Sequence, residues 1–214
     1  MFNKKSSTQR IGILGGTFNP PHHGHVAIAK EALKQLHLDF IVILPAFIPP
    51  HKTKQKITSV RHRITMLQLA FKNEQRMCIS LMELQRKGIS YTKDSIGMLR
   101  NKYPDATLFL IIGSDNLQSF HTWKSYRTIL KHTTLAVYKR KGFALSSQKI
   151  SLPFIRIVGK EIRVSSSDIR DRIADGLTVS RLVPRSIDTY IKAHNLYTRV
   201  KSSISTDENN CLHG

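Results

Sequence analysis

Hydrophobic residues along the chain follow two alternating patterns. Short continuous apolar runs, such as FIVIL at 40–44 and TLFLII at 107–112, are typical of strands covered on both faces. Longer segments between them carry apolar residues at every third or fourth position, as Val60, Ile64, Leu67 and Phe71 do, and this spacing predicts helices. The pattern predicts strands at 10–15, 40–44, 77–84, 107–112, 134–138 and 154–158. It predicts helices at 25–37, 59–72, 92–103, 123–130, 166–175 and 184–194.

Strands that alternate with helices indicate βαβ units. We therefore predict an α/β fold with a doubly wound, mostly parallel sheet, helices on both faces and a C-terminal helical region. In such sheets, ligands bind beyond the carboxyl ends of the strands. We expect one domain over residues 10–198 and flexible termini at 1–9 and 199–214, because the terminal segments have little to bury.

Composition narrows the class of protein. The chain has 214 residues, with 34 Lys and Arg against 14 Asp and Glu, and a formal net charge of +20. This excess favours anionic partners such as nucleotides, nucleic acid or a membrane surface, although a basic surface spread along the chain explains most of it. No run approaches the ~18 apolar residues of a membrane-spanning helix, and the N-terminus makes a poor signal peptide, so we expect a cytoplasmic protein without a membrane partner. Cys78 and Cys211 lie outside any Cys/His cluster, which disfavours a structural zinc site.

A glycine turn followed by three histidines lies between the first predicted strand and the first predicted helix. It reads GGTFNPPHHGH over residues 15–25. Paired glycines let the backbone approach a ligand, and a helix start offers unpaired N–H groups to phosphate. We predict that His22 and His25 meet phosphate oxygens. The turn itself would be lined by Gly15, Gly16, Thr17 and Phe18. The alternatives are a turn with surface histidines, or a metal pair, for which no nearby Asp or Glu completes a site.

A second motif, VSSSDIR at 164–170, begins a predicted helix near the C-terminus. Ser165 with Asp168 fits a capping box. Such a helix start binds an anion through serine hydroxyls and backbone N–H groups, to which Arg170 adds a charged fork. The candidate binding residues are therefore Ser165, Ser166 and Ser167. On this segment alone, a well-capped helix remains the better interpretation.

Three shorter segments supply further candidates. Lys52 follows PPH on a loop beyond the second strand, where it could reach a phosphate. Asp115 follows Gly113 and Ser114 at the end of the strand at 107–112, where it either accepts from a ribose hydroxyl or caps a helix. Trp123, the only Trp, stands beside Lys124 and either stacks on a planar base or packs in the core, and the two readings are near even.

Taken together, these residues resemble the nucleotidyltransferase superfamily, which is marked by GxFxPxHxGH near the N-terminus and by an SSTxIR-like segment near the C-terminus. Within it, the chain is similar to the nicotinate-nucleotide adenylyltransferase family. The added marks are PPHK at 49–52, SYT at 90–92, IGSD at 112–115, TW at 122–123 and an LVP…YI…NLY pattern over 182–197. Three positions depart from the family pattern: Asn19 replaces the usual Asp, Ser167 replaces Thr, and Ile89 replaces Pro.

The resemblance implies a Rossmann-like fold and a direct transfer. The 5′-phosphate of nicotinate mononucleotide attacks the α-phosphorus of ATP, and pyrophosphate leaves without a covalent enzyme intermediate. His22 and His25 would hold ATP phosphates, with His25 nearest the α-phosphate, and Lys52 and Arg170 would hold the remaining phosphate charge. Mg²⁺ would be bound mainly through ATP phosphates and water.

The resemblance also implies where the two bases lie. Gly113 and Asp115 would face the adenosine of ATP. Trp123 would stack on the nicotinate ring, while backbone N–H groups near Thr92 and Lys124 would meet its carboxylate.

Two other functions stay open at this point. One is an adenylyltransferase for nicotinamide mononucleotide or phosphopantetheine, although SYT and TW argue against the latter. The other, less favoured, is a basic nucleic-acid-binding protein, which would lose affinity steeply with salt but lacks a recognised nucleic-acid-binding motif. The sequence also leaves a homo-oligomer open.

Overall fold

The computed structural model describes residues 8–50, 57–145 and 151–199. Within them, six strands form one sheet in which every pairing is parallel. The strands are β1 (Arg10–Gly16), β2 (Phe40–Pro45), β3 (Met77–Ile79), β4 (Thr107–Gly113), β5 (Thr134–Arg140) and β6 (Ile155–Ile162). Their order across the sheet is β3-β2-β1-β4-β5-β6, so the winding direction reverses between β1 and β4. The predicted doubly wound α/β fold is confirmed.

Helices cover both faces of the sheet. In chain order they are α1 (His23–Gln35), α2 (Val60–Phe71), α3 (Met82–Arg86), α4 (Thr92–Lys102), α5 (Ser114–Ser119), α6 (Tyr126–His132), α7 (Ser166–Ala174) and α8 (Arg185–Ala193). Helices α1 and α2 pack on one face, and α4, α5 and α6 pack on the other. The outer side of α2 packs against α7 and α8 in a separate apolar cluster. This third cluster is the predicted C-terminal helical region.

Alternate residues of each central strand point into opposite apolar clusters. In β2, Ile41 and Ile43 belong to the α1 side, whereas Val42 and Leu44 belong to the α4 side. The run TLFLII of β4 divides between the two sides in the same way. Burial on both faces is why these strands read as continuous apolar runs in the sequence.

Two sequence predictions between the strands need correction. The strand predicted at 77–84 ends at Ile79, because only three residues pair with β2 before the chain turns into α3. Glu83 of α3 is buried, where it accepts a hydrogen bond from the Ser95 hydroxyl of α4. The helix predicted at 123–130 begins at Tyr126, after Ser125 in the left-handed region (φ 56°). The sequence pattern also missed α5 and the 3₁₀ helix Phe120–Thr122 that precede it.

Because the strands are parallel, the loops that follow them meet at one edge of the sheet. Gly16 at the end of β1 pairs beside Pro45 of β2, and Gly113 at the end of β4 pairs beside Tyr138 of β5. This edge holds the turn at 17–22, the start of α5 and the end of β5. Among the described residues, no helix is both long enough and apolar enough to cross a membrane.

Candidate active site

The turn between β1 and α1 is shaped by close ring packing. The buried Phe18 ring meets His25 edge-on, with 4.9 Å between the ring centroids. A Cβ on Gly16 would lie 3.1 Å from the Phe18 ring, a tight contact that requires the ring to shift. Gly15, by contrast, is exposed and would have no atom within 4 Å of an added Cβ. The backbone at Gly15 is therefore open on the side where a Cβ would stand.

The three histidines of the turn have different environments. His22 is the N-cap of α1 and is buried, His25 lies in the first helical turn and is half-buried, and His23 is exposed. The backbone N–H of His22 donates to Nδ1 of His25 at 3.2 Å, and the two ring centroids are 3.8 Å apart. A ring nitrogen that accepts an N–H carries no proton, so a neutral His25 keeps its proton on Nε2. This arrangement makes His25 a suitable donor to a phosphate.

Burial keeps His22 neutral. Burial lowers the pKa of His22 well below the ordinary 6.5, and His25 and His23, when protonated, and the guanidinium of Arg140 lower it further. The ring packs closely on the helix start, since a Cβ on Gly24 would lie 2.9 Å from Nδ1 of His22. The same Cβ would lie 2.8 Å from Cγ2 of Ile162. The glycine between the motif histidines is therefore required by packing.

The start of α7 docks onto this turn. Ser165 and Asp168 form the predicted capping box: the Asp168 N–H donates to Oγ of Ser165 at 3.1 Å, and the Ser165 N–H donates to Oδ2 of Asp168 at 3.2 Å. The hydroxyl of Ser166 donates to the Pro20 carbonyl at 2.8 Å. The N-termini of α1 and α7 are thus held next to one another across the turn.

Arg170 joins the two sequence motifs directly. Its Nη1 donates to the Asn19 carbonyl at 2.9 Å, and its Nη2 donates to Oγ of Ser167 at 3.2 Å. The side chain holds the turn in place and carries a positive charge beside it. Whether phosphate also contacts Arg170 stays a prediction.

A cavity of about 400 Å³ lies between the ends of β4, β5 and β6. Asp115 and Arg140 line it and form an ion pair of 2.7 Å, while Nη2 of Arg140 donates to the Val164 carbonyl at 3.1 Å. The N-cap of α5 is Gly113, so the alternative in which Asp115 caps the helix is wrong. A Cβ on Gly113 would lie 2.3 Å from Oδ1 of Asp115 and 2.7 Å from Cδ of Arg140, so a larger residue there would displace the paired side chains.

Ser114 is wholly buried between these elements. Its hydroxyl accepts from the Arg140 N–H at 2.9 Å and donates to the Phe143 carbonyl at 3.3 Å. The side chain therefore ties α5 to the end of β5.

At the other end of the site, the start of α4 meets the segment that contains Trp123. Nζ of Lys124 lies 4.2 Å from the centroid of the Tyr91 ring, which brings the residue before Thr92 next to the TW segment. Trp123 is half-buried, and its ring packs at 5.0 Å on the core residue Phe120. The contact with the core is therefore present, while stacking of Trp123 on a base stays a prediction.

Comparisons with known proteins show the family. A family model described as cytidylyltransferase-like matches residues 13–172. A protein from Borreliella afzelii named probable nicotinate-nucleotide adenylyltransferase is 43% identical over 190 residues, which cover 89% of this chain and 97% of that relative. A protein of the same name from Thermomicrobium roseum is 37% identical over 207 residues, covering 92% and 95% of the two chains. The chain belongs to the nicotinate-nucleotide adenylyltransferase family.

Solved structures support the fold of this family member. The Plasmodium falciparum nicotinic acid mononucleotide adenylyltransferase complexed with NaAD superposes with a TM-score of 0.75 at 16% identity, covering 88% of this chain and 97% of that one. A putative nicotinate-nucleotide adenylyltransferase from Vibrio parahaemolyticus gives a TM-score of 0.67 at 19% identity. At these identities the likeness concerns the fold.

The structure places further side chains around the turn that the sequence analysis did not propose as site residues. Arg63 and Tyr197 lie against the turn, and Arg140 lies beside His22 and Asp115. Arg140 belongs to a short basic run at 139–141, and Tyr197 ends the NLY segment, but neither pattern indicated a contact with the turn. Lys52 lies outside the described residues, as do the segments 1–7 and 200–214 that form most of the predicted flexible termini.

Proposed function

We propose that this protein transfers the adenylyl group of ATP to nicotinate mononucleotide and so acts in NAD biosynthesis. A phosphate oxygen of the mononucleotide forms a bond to the α-phosphorus of ATP, and the bond to the departing pyrophosphate breaks. The products are nicotinate adenine dinucleotide and pyrophosphate. The observation that carries the proposal is the junction of the two motifs, in which Ser166 and Arg170 bind the turn that contains His22 and His25.

At the phosphate end, catalysis consists of positioning and charge stabilisation. The proton on Nε2 of His25 is donated in a hydrogen bond to an oxygen of the α-phosphate. The N-termini of α1 and α7 add backbone N–H groups and positive dipole ends. His22, buried and neutral, holds His25 in orientation through its backbone N–H. No side chain needs to form a covalent intermediate.

The donor set fits Mg²⁺ held mainly by ATP. In the described ranges, no three or more His, Cys, Asp and Glu side chains form a group that could hold a metal ion. The carboxylate of Asp115, which lies at the site, is paired with Arg140. Mg²⁺ retains several waters and prefers phosphate oxygens to an all-protein cage. When bound, the ion neutralises negative charge on the triphosphate.

The nicotinate ring would lie on Trp123 with its carboxylate toward the start of α4. Backbone N–H groups at Thr92 and Lys124 would donate to the carboxylate, and the positive end of the α4 dipole favours an anion there. The ammonium group of Lys124, held over Tyr91, adds a nearby positive charge. These features support the acid rather than the amide as substrate, because ionised acceptors form the stronger hydrogen bonds.

The adenosine of ATP would occupy the cavity lined by Asp115 and Arg140. Its volume of about 400 Å³ suits one nucleoside. Asp115 lines this cavity, where its carboxylate would accept a hydrogen bond from a ribose hydroxyl.

The direct test is pyrophosphate release with ATP, Mg²⁺ and a panel of phosphate substrates. We expect kcat/KM to be highest with nicotinate mononucleotide, lower with nicotinamide mononucleotide and negligible with phosphopantetheine. Equal efficiency with the acid and the amide would reject the assignment of the carboxylate site. Titration with single-stranded RNA at physiological salt tests the nucleic-acid alternative, for which we expect no binding that competes with ATP.

A further inference from the structure

A buried arginine lies directly beneath the phosphate-binding turn. Arg63 of α2 is only 1% exposed, and its guanidinium donates to the carbonyls of Thr58 (3.1 Å), Thr17 (2.9 Å) and Ala46 (2.7 Å). Burial lowers the pKa of Arg63, but an arginine side chain is not deprotonated in proteins, so the group stays cationic. Two of the carbonyls belong to the segments that follow β1 and β2. Arg63 therefore fastens the turn to the neighbouring loop.

This buried cation has no anionic partner in the described part of the chain. The ion pairs there involve other residues, and neither Arg63 nor Arg170 takes part in one. Buried charges in proteins are ordinarily paired, because an uncompensated charge in a medium of low polarity is costly. An unpaired buried cation at a ligand site therefore points to an anion that arrives with the ligand.

Asn19 occupies the position where a compensating carboxylate could stand. The side chain is 4% exposed, and its Oδ1 accepts from the Thr58 N–H at 3.3 Å and from the Tyr197 hydroxyl at 3.0 Å. Burial raises the pKa of Tyr197 to about 12, so its hydroxyl stays protonated and able to donate. Arg63 donates to the carbonyl of Thr58, the residue whose N–H donates to Asn19, and Arg170 donates to the Asn19 carbonyl, so both cations lie near the Asn19 amide.

We propose that Asn19 sets the charge of the phosphate site: its neutral amide leaves Arg63 and Arg170 uncompensated, so that the triphosphate of ATP, or released pyrophosphate, supplies the missing negative charge. This inference rests on the proposed function, because it assigns a role within the same site. Asn19 and Arg63 are positioning residues. They act on the bound phosphates through the electrostatic potential of the site and through the conformation of the turn, without contacting the reacting atoms. The arrangement strengthens the binding of polyanions and lowers the stability of the ligand-free protein.

The substitution Asn19→Asp tests this proposal with little change of shape. Aspartate offers an oxygen to the same two donors and adds a negative charge beside two guanidinium groups. We expect the Tm of the ligand-free protein to rise and the Kd for magnesium pyrophosphate, measured by calorimetry, to increase roughly tenfold, the effect of one charge interaction at a partly screened distance. The KM for ATP should increase with it, whereas the KM for nicotinate mononucleotide should stay within about twofold, because charge effects fall with distance.

A matched control adds the same charge far from the site. Asn73 is exposed between α2 and β3, at the opposite edge of the sheet from the turn, so Asn73→Asp should leave both the Tm and the affinity for pyrophosphate nearly unchanged. The decisive result is a Tm that rises and an affinity for pyrophosphate that falls in Asn19→Asp, with neither change in Asn73→Asp. If Asn19→Asp behaves like Asn73→Asp, or lowers both quantities together, the proposal is wrong. Calorimetry with pyrophosphate also separates this test from the proposed function, which fails if the unsubstituted protein forms no dinucleotide.

Discussion

At the proposed phosphate end of the site, the turn is held to α2 by the buried Arg63 and to α7 by the half-buried Ser166 and Arg170. At the proposed nicotinate end, around Thr92 and Trp123, the polar contact between the two segments is the cation–π contact of Lys124 with Tyr91. His22 and Asn19 are each 4% exposed, and Asn19, Pro20 and Thr17 all accept hydrogen bonds from distant elements. Lys124 is exposed and Trp123 is only half-buried. The two ends therefore differ in how firmly their groups are held before substrate arrives.

This difference suits the work that each end would perform. Charge moves at the phosphate end, and donors stabilise a transition state best when they need no reorganisation. The nicotinate end selects a substrate, and exposed groups there can adjust to a ring that arrives from solvent. We therefore expect substitutions at the phosphate end to change kcat and those at the nicotinate end to change KM.

The largest effect is expected from His25→Ala at the phosphate end. Loss of one preorganised donor to the transferring phosphate should lower kcat by about 10²–10³, with a smaller change in the KM for ATP. The measurement is steady-state formation of the dinucleotide, with thermal unfolding recorded in parallel.

Two further variants isolate the role of the His25 ring. His25→Asn keeps an oxygen that can accept a hydrogen bond from the His22 N–H. Compared with His25→Ala, it should regain any thermal stability lost at the start of α1, while kcat stays low. His23 is exposed, and His23→Ala should stay close to the unsubstituted protein. A His25→Ala protein with near-normal kcat, or a strong loss in His23→Ala, would contradict both the role and the assignment of the motif.

The second effect in size is expected from Trp123→Ala at the nicotinate end. Removal of a stacking platform should cost roughly 1–3 kcal/mol, by analogy with stacked nucleic-acid bases. The loss should appear in the KM for nicotinate mononucleotide, with the KM for ATP nearly unchanged. Trp123→Phe keeps a ring and should retain most of the affinity. If instead Tm falls and both KM values hold, the contact with Phe120 defines Trp123 as a core residue.

The fold was predictable because its signals are local. Each central strand is a continuous apolar run buried on both faces, and the helices between them show a periodic apolar stripe. The error at 77–84 has a non-local cause: the segment MCISLMEL is apolar enough for a strand, but β3 has only three residues paired with β2. A single sequence window does not contain that partner.

The site was predictable where residues act through their own segment. The capping box of Ser165 with Asp168 and the histidine turn follow from short motifs. Arg63 could not be found in this way. The apolar periodicity of the helix predicts that Val60 and Ile64 face the core, whereas the structure buries Arg63 and Met66. The three carbonyls that accept from its guanidinium belong to separate loops, and they lie 5, 17 and 46 residues away along the chain.

The smallest effect is expected from Gly97→Ala in the middle of α4. This variant tests whether the groups at the nicotinate end are held weakly because the helix itself is partly unfolded. Gly97 is exposed, and an added Cβ would have no atom within 4 Å. Alanine should therefore stabilise the protein by about 0.5–1 kcal/mol, measured by chemical unfolding.

Gly12→Ala is the matched contrast. Its Cβ would lie 2.7 Å from Leu38 and 2.9 Å from Ile41, so overpacking there should destabilise the protein by roughly 1–3 kcal/mol. If Gly97→Ala also lowers the KM for nicotinate mononucleotide, α4 is partly unfolded before binding. Part of the binding free energy is then used to order the helix, which weakens the apparent affinity for the substrate. We expect an unchanged KM. This result means that α4 is already formed before substrate binds and that only the exposed side chains on its surface can rearrange.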